Sequence, residues 1–278
     1  MKVIIQKVDL DTALTAFIAG VSPEDEVLNV HGSASGEYLI DPSILCIECG
    51  GSGSTELLNF DHHDPERWFP PACRQAFDFF GKDDPLLKRL VEYVCILDDR
   101  LEGYPPVFFP SLSNVFSGML FTEKDPVKQL FKGMEILKRV LICGLDPFLT
   151  MPEIPDWLPY IEAKKENMAR LKDVVENVRF FDSRGGCRIG FIESSVIGGI
   201  GKLYQMGCHV VVMFNPSFGN PPGRKFTIAG NGKKVVHLIR FFDNMEKGWG
   251  GRETIIGSPA KGSSLQVEEV LKVVVENL

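Results

Sequence analysis

Short apolar runs alternate with an amphipathic stretch along the first part of the chain, in the pattern of strands and helices that follow one another. In chain order we predict a strand at 3–6, a helix at 12–19 that Gly20 closes, and strands at 27–30, 38–40 and 44–48. Strands that alternate with helices favour a mainly parallel, doubly wound α/β sheet. In such sheets ligands bind beyond the carboxyl ends of the strands.

Three longer helical periodicities follow, and each begins with a proline, which the first turn of a helix accepts readily. These helices are predicted at 71–80, 85–97 and 126–143, before a proline-dense stretch at 151–159. A polar helix at 160–178 connects to strands at 187–193, 209–214, 226–229 and 235–240 and to a last helix at 266–276. We therefore predict a domain at 1–150, a helical linker at 151–183 and a smaller α/β domain at 184–278.

Length and charge narrow the class of protein. The 278 residues suffice for two domains, and 44% hydrophobic residues is typical of a folded globular protein. The 37 acidic and 30 basic residues give a net charge of −7, which argues against binding of duplex nucleic acid. A small phosphorylated substrate or a short single-stranded oligonucleotide is the favoured partner.

Targeting features and cysteines point to the cytoplasm. No apolar run is long enough to cross a bilayer, and the apolar N-terminal stretch is too short for a secretory signal, so no membrane partner is expected. Seven cysteines scattered through apolar segments predict reduced core residues of a cytoplasmic protein. Cys46 and Cys49 could instead hold zinc or carry out redox chemistry, although zinc normally needs a second pair.

The candidate chemistry lies in acidic and imidazole side chains that follow predicted strands. Asp9 and Asp11 come after the first strand, and the triplet Asp61-His62-His63 comes later. Oxygen and nitrogen ligands without thiolates suit Mn²⁺ or Mg²⁺ better than iron–sulfur clusters or structural zinc. Taken alone, Asp11 could be a helix N-cap and residues 61–65 could be a solvated turn.

These residues resemble the motifs of the DHH phosphoesterase superfamily, and the resemblance covers essentially the whole chain. The match is strongest at Asp61-His62-His63. A His-x-Asp-x-Asp motif of the family has its spacing kept in Lys7-Val8-Asp9-Leu10-Asp11, with lysine in place of histidine. The other matching positions are Glu48 in place of an aspartate, Asp98 with Asp99 as a near alternative, and Gly250-Gly251-Arg252, where arginine replaces histidine.

The resemblance implies an N-terminal manganese-binding domain and a C-terminal substrate-binding domain. It also implies hydrolysis by metal-activated water of a phosphodiester, phosphomonoester or phosphoanhydride in a small nucleotide, short oligonucleotide or polyphosphate. One or two Mn²⁺ ions, with Mg²⁺ as the alternative, would be held by Asp9, Asp11, Glu48, His62 and Asp98. The catalytic residues would be Asp61, His62, His63 and Lys7, and the phosphate contacts would come from His63, Lys7, Arg252, Gly250 and Gly251.

Lys7 leaves the activity open, because a protonated ammonium is a donor only and cannot ligate a cation. It could replace the charge of one ion and leave a one-metal site. Alternatively, the chain could be a catalytically degenerate nucleotide- or phosphate-binding module on the same fold. The number of ions and the oligomeric state, for which a homodimer is an option, stay open.

Overall fold

The computed structural model describes residues 1–64, 66–99, 108–219 and 221–278. The chain forms two compact units, Met1–Lys165 and Glu166–Leu278, which we call unit 1 and unit 2. The division falls inside the helix Leu158–Val175. The segment 151–183, predicted as a linker, is therefore shared between the two units.

Within its described residues, unit 1 contains four strands and most of the helices. The strands are β1 (Lys2–Ile5), β2 (Glu26–Asn29), β3 (Ile44–Ile47) and β4 (Asn59–Phe60). The helices are α1 (Leu10–Ala19), α2 (Gly36–Leu39), α3 (Ala72–Phe79), α4 (Pro85–Asp98), α5 (Leu112–Thr122) and α6 (Pro126–Ile142), and α7 (Leu158–Val175) continues into unit 2. Short 3₁₀ turns lie at Thr55–Leu57 and Pro155–Trp157.

The sheet of unit 1 is parallel, with the strand order β2-β1-β3-β4. Successive residues of β1 point to opposite faces, as the pleat requires. Val3 and Ile5 join the main core cluster with α1 and α3 to α6, whereas Ile4 joins a smaller cluster with Tyr38 and Leu39 of α2. The parallel sheet confirms the predicted fold class, and it brings the carboxyl ends of β1, β3 and β4 to one edge.

Unit 2 is a second α/β unit. Its strands are β5 (Arg179–Asp182), β6 (Arg188–Glu193), β7 (Val210–Phe218), β8 (Gly223–Gly230), β9 (Gly250–Arg252) and β10 (Ile255–Gly257). Its helices are α8 (Gly199–Gln205), α9 (Ile239–Phe242), preceded by the 3₁₀ turn Val236–Leu238, and α10 (Val267–Asn277).

The strands described in unit 2 form a mixed sheet in the order β5-β6-β7-β8-β10-β9. Only β6 and β7 pair in parallel among the described strands of this sheet. Val212 and Phe214 on one face of β7 pack into a core with α9 and α10. Val211 on the other face packs with Leu203 of α8. The two faces of this sheet therefore have different neighbours.

Two predicted strands are wrong. The strand predicted at 38–40 is a helix, α2, because Tyr38 and Leu39 both pack onto the smaller core cluster. The strand predicted at 235–240 is a 3₁₀ turn that runs into α9. Val235, Leu238 and Phe242 are buried there at helical rather than alternating spacing. The periodicity also missed α5, β5, α8, β9 and β10.

Within the described ranges, no helix combines the length and the apolar character that crossing a membrane would require.

Candidate metal centre

Polar side chains converge at the carboxyl edge of the parallel sheet in unit 1. Asp9 follows β1, Glu48 follows β3, His62 and His63 follow β4, and Asp98 is the last residue of α4. Parallel strands place such residues together because their carboxyl ends share one edge. Among the residues that the structure describes, two sets of side chains have potential ligand atoms within 4.8 Å of one another, namely Glu48 with His62 and His63, and Asp11 with His62 and Asp98.

Asp9 and Asp11 are both held by helix amino termini. Asp9 is the N-cap of α1 and accepts a hydrogen bond from the backbone N of Thr12 at 3.0 Å. Asp11 is buried, and its two carboxylate oxygens accept hydrogen bonds from the backbone N of Ala72 at 2.8 Å and of Cys73 at 2.7 Å, at the start of α3. Asp11 is therefore not the N-cap of its own helix; it satisfies amides of another.

Glu48 enters the site from an uncommon backbone conformation. Its φ of 50° lies in the left-handed region, which residues other than glycine adopt rarely and at a cost. The side chain is buried, with Oε2 at 2.5 Å from Oγ1 of Thr12. That hydroxyl also lies 3.1 Å from Oδ1 of Asp9 and 2.8 Å from the carbonyl oxygen of Lys7, and it can donate to one of them at a time. Thr12 thus ties the loop after β1 to the end of β3.

Asp61 is a buried positioning residue. Its Oδ1 accepts a hydrogen bond from the backbone N of His63 and lies 2.9 Å from Nδ1 of the same residue, while Oδ2 accepts from the backbone N of Gly50 at 2.7 Å. Burial raises the pKa of Asp61, but the hydrogen bonds from His63 and Gly50 outweigh it and hold the pKa below its ordinary value. Asp61 is 3% exposed, and both of its carboxylate oxygens accept hydrogen bonds, so it does not belong to a solvated turn. Pro65, the last residue of the turn considered from the sequence, lies outside the described residues.

His63 presents its imidazole to solvent beside this carboxylate. The hydrogen bond with Asp61 raises the pKa of His63 above its ordinary value. Nδ1 is engaged by Asp61, and within the described structure no hydrogen bond engages Nε2. His63 can therefore offer Nε2 to a ligand while Asp61 fixes the orientation of the ring.

His62 and Asp98 form the pair that indicates a cation. Nε2 of His62 lies 3.0 Å from Oδ2 of Asp98 and 3.4 Å from Oε1 of Glu48. Both Nε2 and Oδ2 are buried, yet neither has a hydrogen-bond partner of suitable geometry among the described residues. Neighbouring ligands of an octahedral ion, each about 2.1 Å from it, are roughly 3 Å apart. The donor set and this orphaned pair therefore fit a divalent cation.

Crowded carboxylates shape the electrostatics of the site. Burial, then the charge of Glu48, raises the pKa of Asp9 to about 6 and raises that of Asp11 well above its ordinary value. The Asp98 carboxylate, with Glu48 adding to the effect, raises the pKa of His62 to about 11. A cation that binds here would offset the repulsion among the acids, and it must displace the proton of His62.

Lys7 lies close enough for its charge to act on Asp9, but it belongs to neither set of potential metal ligands. Its side chain is exposed, makes no ion pair with another described residue, and its charge lowers the pKa of Asp9 against the stronger raising effects. This position suits a contact with an incoming anion better than ligation of a metal.

Arg252, Gly250 and Gly251 lie in unit 2, where they form the exposed edge strand β9. Gly251 has a φ of 151°, and a Cβ there would lie 2.2 Å from the carbonyl oxygen of Ile255. Glycine is therefore required for β9 to pair with β10. A Cβ at Gly250 would meet open space, so packing alone does not explain that glycine.

Sequence reasoning missed two polar residues that support the site. Thr12 links Asp9 and Glu48, and Gln75 donates from Nε2 to the carbonyl oxygen of Asp61 at 2.9 Å. The sequence does carry a signal for Thr12, because it lies three residues after Asp9. A helix N-cap residue commonly accepts a hydrogen bond from the backbone amide three residues later. Gln75 has no such signal, because its partner lies in another element.

No family model matches the chain, and no curated protein matches it. Among solved structures, the pGpG-specific phosphodiesterase PggH from Vibrio cholerae matches with a TM-score of 0.63 at 13% identity, over 99% of this chain and 97% of that one. The DHH domain of a member of a ribosomal-protein family matches with a TM-score of 0.54 at 13% identity, over 98% of this chain and 85% of that one. The chain has the DHH fold.

The DHH fold confirms the resemblance at the level of architecture. The match to PggH extends over 99% of the chain, so it takes in both units. At 13% identity the likeness concerns the fold, and the chemistry rests on the residues of this chain.

Proposed function

We propose that the chain hydrolyses a phosphodiester bond in a small nucleotide or a short single-stranded oligonucleotide, with a divalent cation held in unit 1. The observation that carries the proposal is the buried pair of His62 Nε2 and Asp98 Oδ2, which lie 3.0 Å apart without a hydrogen bond in the described structure. Mn²⁺ is the preferred ion and Mg²⁺ the alternative, because the donors are carboxylates with an imidazole among them. The DHH fold supports the same class of reaction.

The candidate ligands divide into a set of three that would hold one ion and two further acids beside that set. Asp11, His62 and Asp98 would hold one ion, and Glu48, which also approaches His62, would extend the site towards Asp9. When bound, the cation stabilises negative charge on phosphate oxygens and lowers the pKa of an attacking water molecule. The ratio of metal to protein in the purified chain measures whether one or two ions bind.

His63 is the proton-holding group in this proposal. The Asp61 carboxylate fixes its Nδ1 and raises its pKa, so that a larger fraction of the imidazole is protonated at neutral pH. Nε2 then donates a hydrogen bond to a phosphate oxygen or supplies a proton to the leaving oxygen. Asp61 acts through His63, in agreement with its burial.

Cations that do not ligate the metal would bind the phosphate. Lys7 is exposed beside the acids of unit 1 and would contact one phosphate oxygen as a point charge. Arg252 can hold a phosphate with paired hydrogen bonds, and Gly250, where a Cβ would meet open space, leaves the backbone beside it open to close approach.

Neighbouring aspartates at the end of α4 provide the test. Asp98→Asn removes one ligand oxygen of the orphaned pair, whereas Asp99→Asn makes the same change one residue later, outside both sets of potential ligands. We expect Asp98→Asn to weaken Mn²⁺ binding and turnover by more than about 100-fold, and Asp99→Asn to leave both near wild type. Calorimetric titration with MnCl₂ and hydrolysis of a 5′-phosphorylated dinucleotide, with Mn²⁺ or with EDTA, measure the two effects.

Equal behaviour of the two variants, or turnover that persists in EDTA, would reject the proposal. A second candidate, a nucleotide-binding module without turnover, is favoured by one observation: lysine stands where the related motif has histidine, and it is exposed without an ion pair in the described part of the chain. Tight nucleotide binding with neither bound metal nor product would select that module.

A further inference from the structure

Two thiols meet between neighbouring helices of unit 1. Cys73 lies in the first turn of α3 and Cys95 in the last turn of α4, and their Sγ atoms are 4.0 Å apart. Every cysteine of the chain lies in the described part of the structure and is a free thiol. A disulfide bond requires about 2.05 Å between the sulfur atoms, so this pair must close by roughly 2 Å to form one.

The two thiols differ in exposure and in surroundings. Cys73 is fully buried, whereas Cys95 is partly exposed. The hydrogen bond with Cys73 lowers the pKa of Cys95, and the charge of Arg74 acts in the same direction against the effect of burial. Peroxides oxidise thiols that are reachable from solvent and lie beside a cation. Cys95 is therefore the group that meets an oxidant first, and Cys73 is its buried partner.

The pair Cys46 and Cys49 lacks this access. Both residues are buried, and their thiols lie against the backbone carbonyl oxygens of Tyr38 and Ile4. These two sulfurs offer no exposed atom to an oxidant. Nearness of two thiols and exposure of one of them are combined at Cys73 and Cys95.

Each thiol of this pair is linked through the backbone to a carboxylate of the candidate metal centre. The backbone N of Cys73 donates to Oδ1 of Asp11 at 2.7 Å. Cys95 precedes Asp98 by three residues, about one helical turn, in α4. Asp11 and Asp98 belong to the same set of potential ligands. Joining the sulfurs would shift these carboxylates relative to each other, and a metal site tolerates changes of only about 0.2 Å in its ligand distances.

We propose that Cys73 and Cys95 are a site of reversible oxidation, at which hydrogen peroxide joins α3 to α4 through a disulfide and weakens the binding of a divalent cation. The thiolate of Cys95 attacks one peroxide oxygen, the O–O bond breaks, and the other oxygen leaves as hydroxide. The sulfur is then a sulfenic acid, oxidised by two electrons. The thiol of Cys73 attacks that sulfur, and its proton leaves with the sulfenic hydroxyl group as water.

The disulfide does not depend on the proposed function, but its effect on the cation rests on it. A dithiol reverses the oxidation by thiol–disulfide exchange, in which the dithiol becomes the disulfide and both cysteines regain their protons.

Peroxide treatment of the metal-free full chain tests the site. Trypsin cuts after Arg74 and Arg89, so the two cysteines fall into separate peptides that a disulfide would hold together. Mass spectrometry without reduction should show this linked pair in wild type, and dithiothreitol should release it. Cys73→Ala and Cys95→Ser should each abolish it. Cys143→Ser is the matched control, because it removes an exposed thiol that follows α6 and should leave the linked pair unchanged.

Calorimetric titration with MnCl₂, after removal of the peroxide, measures the effect on the cation. Oxidised wild type should bind Mn²⁺ at least about tenfold more weakly than the reduced chain, and treatment with dithiothreitol followed by desalting should restore the affinity. Peroxide-treated Cys95→Ser, whose side chain is partly exposed, should bind Mn²⁺ as tightly as reduced wild type.

Absence of the linked peptides in oxidised wild type, or equal Mn²⁺ affinity of its oxidised and reduced forms, would overturn the inference. A loss of affinity in peroxide-treated Cys95→Ser as large as that in wild type would overturn it as well, because oxidation elsewhere would then be the cause. Should the reduced wild type fail to bind Mn²⁺, the proposed function fails, whereas the linked peptides would still support the disulfide.

Discussion

Single carboxylates in unit 1 serve two purposes at once. Asp9 caps α1 and lies beside Glu48, while Asp11 engages two backbone amides at the start of α3 and approaches His62 and Asp98. A carboxylate oxygen has more than one lone pair, so a bond to an amide leaves room for a cation. The residues that would bind metal also order the helices around it, which couples the site to the stability of the unit.

Substitution of Asp9 or Asp11 by asparagine separates the ordering of the helices from the binding of metal. Asn caps a helix as well as Asp does, so Asp9→Asn should not lower the free energy of unfolding. At Asp11 the amide group of Asn would turn a donor towards one of two backbone N–H groups, and we expect a loss of about 1–3 kcal/mol. Urea unfolding in EDTA measures both effects, and calorimetry should show weaker Mn²⁺ binding in each variant.

Destabilisation by Asp9→Asn that matches the loss in Asp11→Asn would contradict this division of roles. Unchanged Mn²⁺ affinity in both variants would remove these aspartates from the site altogether.

Spacing along the chain predicts which residues form the site, but it does not predict the conformations in which they are held. Asp61-His62-His63 and the acids at Asp9 and Asp98 are recognisable from sequence, and the structure brings His62 against Asp98. The left-handed backbone of Glu48 could not be predicted, because glutamate shows no local preference for it. Such a conformation is imposed by the surrounding tertiary contacts, such as the 2.5 Å approach of Thr12.

At the level of elements, long amphipathic helices were predictable and short elements were not. The helix predicted at 126–143 agrees with α6, Pro126–Ile142, since the seventeen residues repeat an apolar stripe and begin with a cap and a proline. The four-residue α2 carries too few positions to separate a helix from a strand. The apolar run at 235–242 was ambiguous for the same reason, and packing of Val235, Leu238 and Phe242 decided it.

The contact between α5 and α7 depends on a glycine. A Cβ at Gly118 would lie 1.9 Å from the carbonyl oxygen of Tyr160, and that oxygen belongs to the backbone and cannot move aside cheaply. We expect Gly118→Ala to lower the free energy of unfolding by about 3 kcal/mol, because the two helices must separate. Chemical unfolding followed by circular dichroism measures the change.

Gly201 in α8 is the matched control, because a Cβ there meets nothing within 4 Å. The same change to alanine should stabilise the chain by about 0.5–1 kcal/mol through helix propensity. Stabilisation by both changes would show that propensity, rather than the close approach at Tyr160, governs Gly118.

For the whole molecule, composition and element order predicted two α/β parts and a parallel first sheet. They did not predict that the division falls at Lys165 and Glu166, in the middle of α7. The helix is continuous in its periodicity and charge, so nothing local distinguishes the half that packs with each unit. Which core a helical turn joins is a property of the assembled fold.

The free energy of unfolding of the whole chain should depend on pH through Asp9. In the folded chain its pKa is about 6, above the ordinary 3.8, so between these values the folded state retains a proton that the unfolded chain has released. The contribution of Asp9 is therefore fully present below pH 3.8 and is lost as the pH rises through 6. In EDTA, the stability of wild type relative to Asp9→Asn should fall by about 1–3 kcal/mol between about pH 4 and pH 6.5.

A divalent cation should reverse this loss, because it prefers the ionised carboxylates that repel one another without it. At neutral pH and a free Mn²⁺ concentration about 100-fold above its dissociation constant, wild type should gain about 2.7 kcal/mol, and Asp9→Asn much less. Urea unfolding across the pH range, with EDTA or with Mn²⁺, measures both terms. Parallel pH curves for the two proteins, or equal stabilisation of both by Mn²⁺, would show that Asp9 does not couple protons and metal to folding.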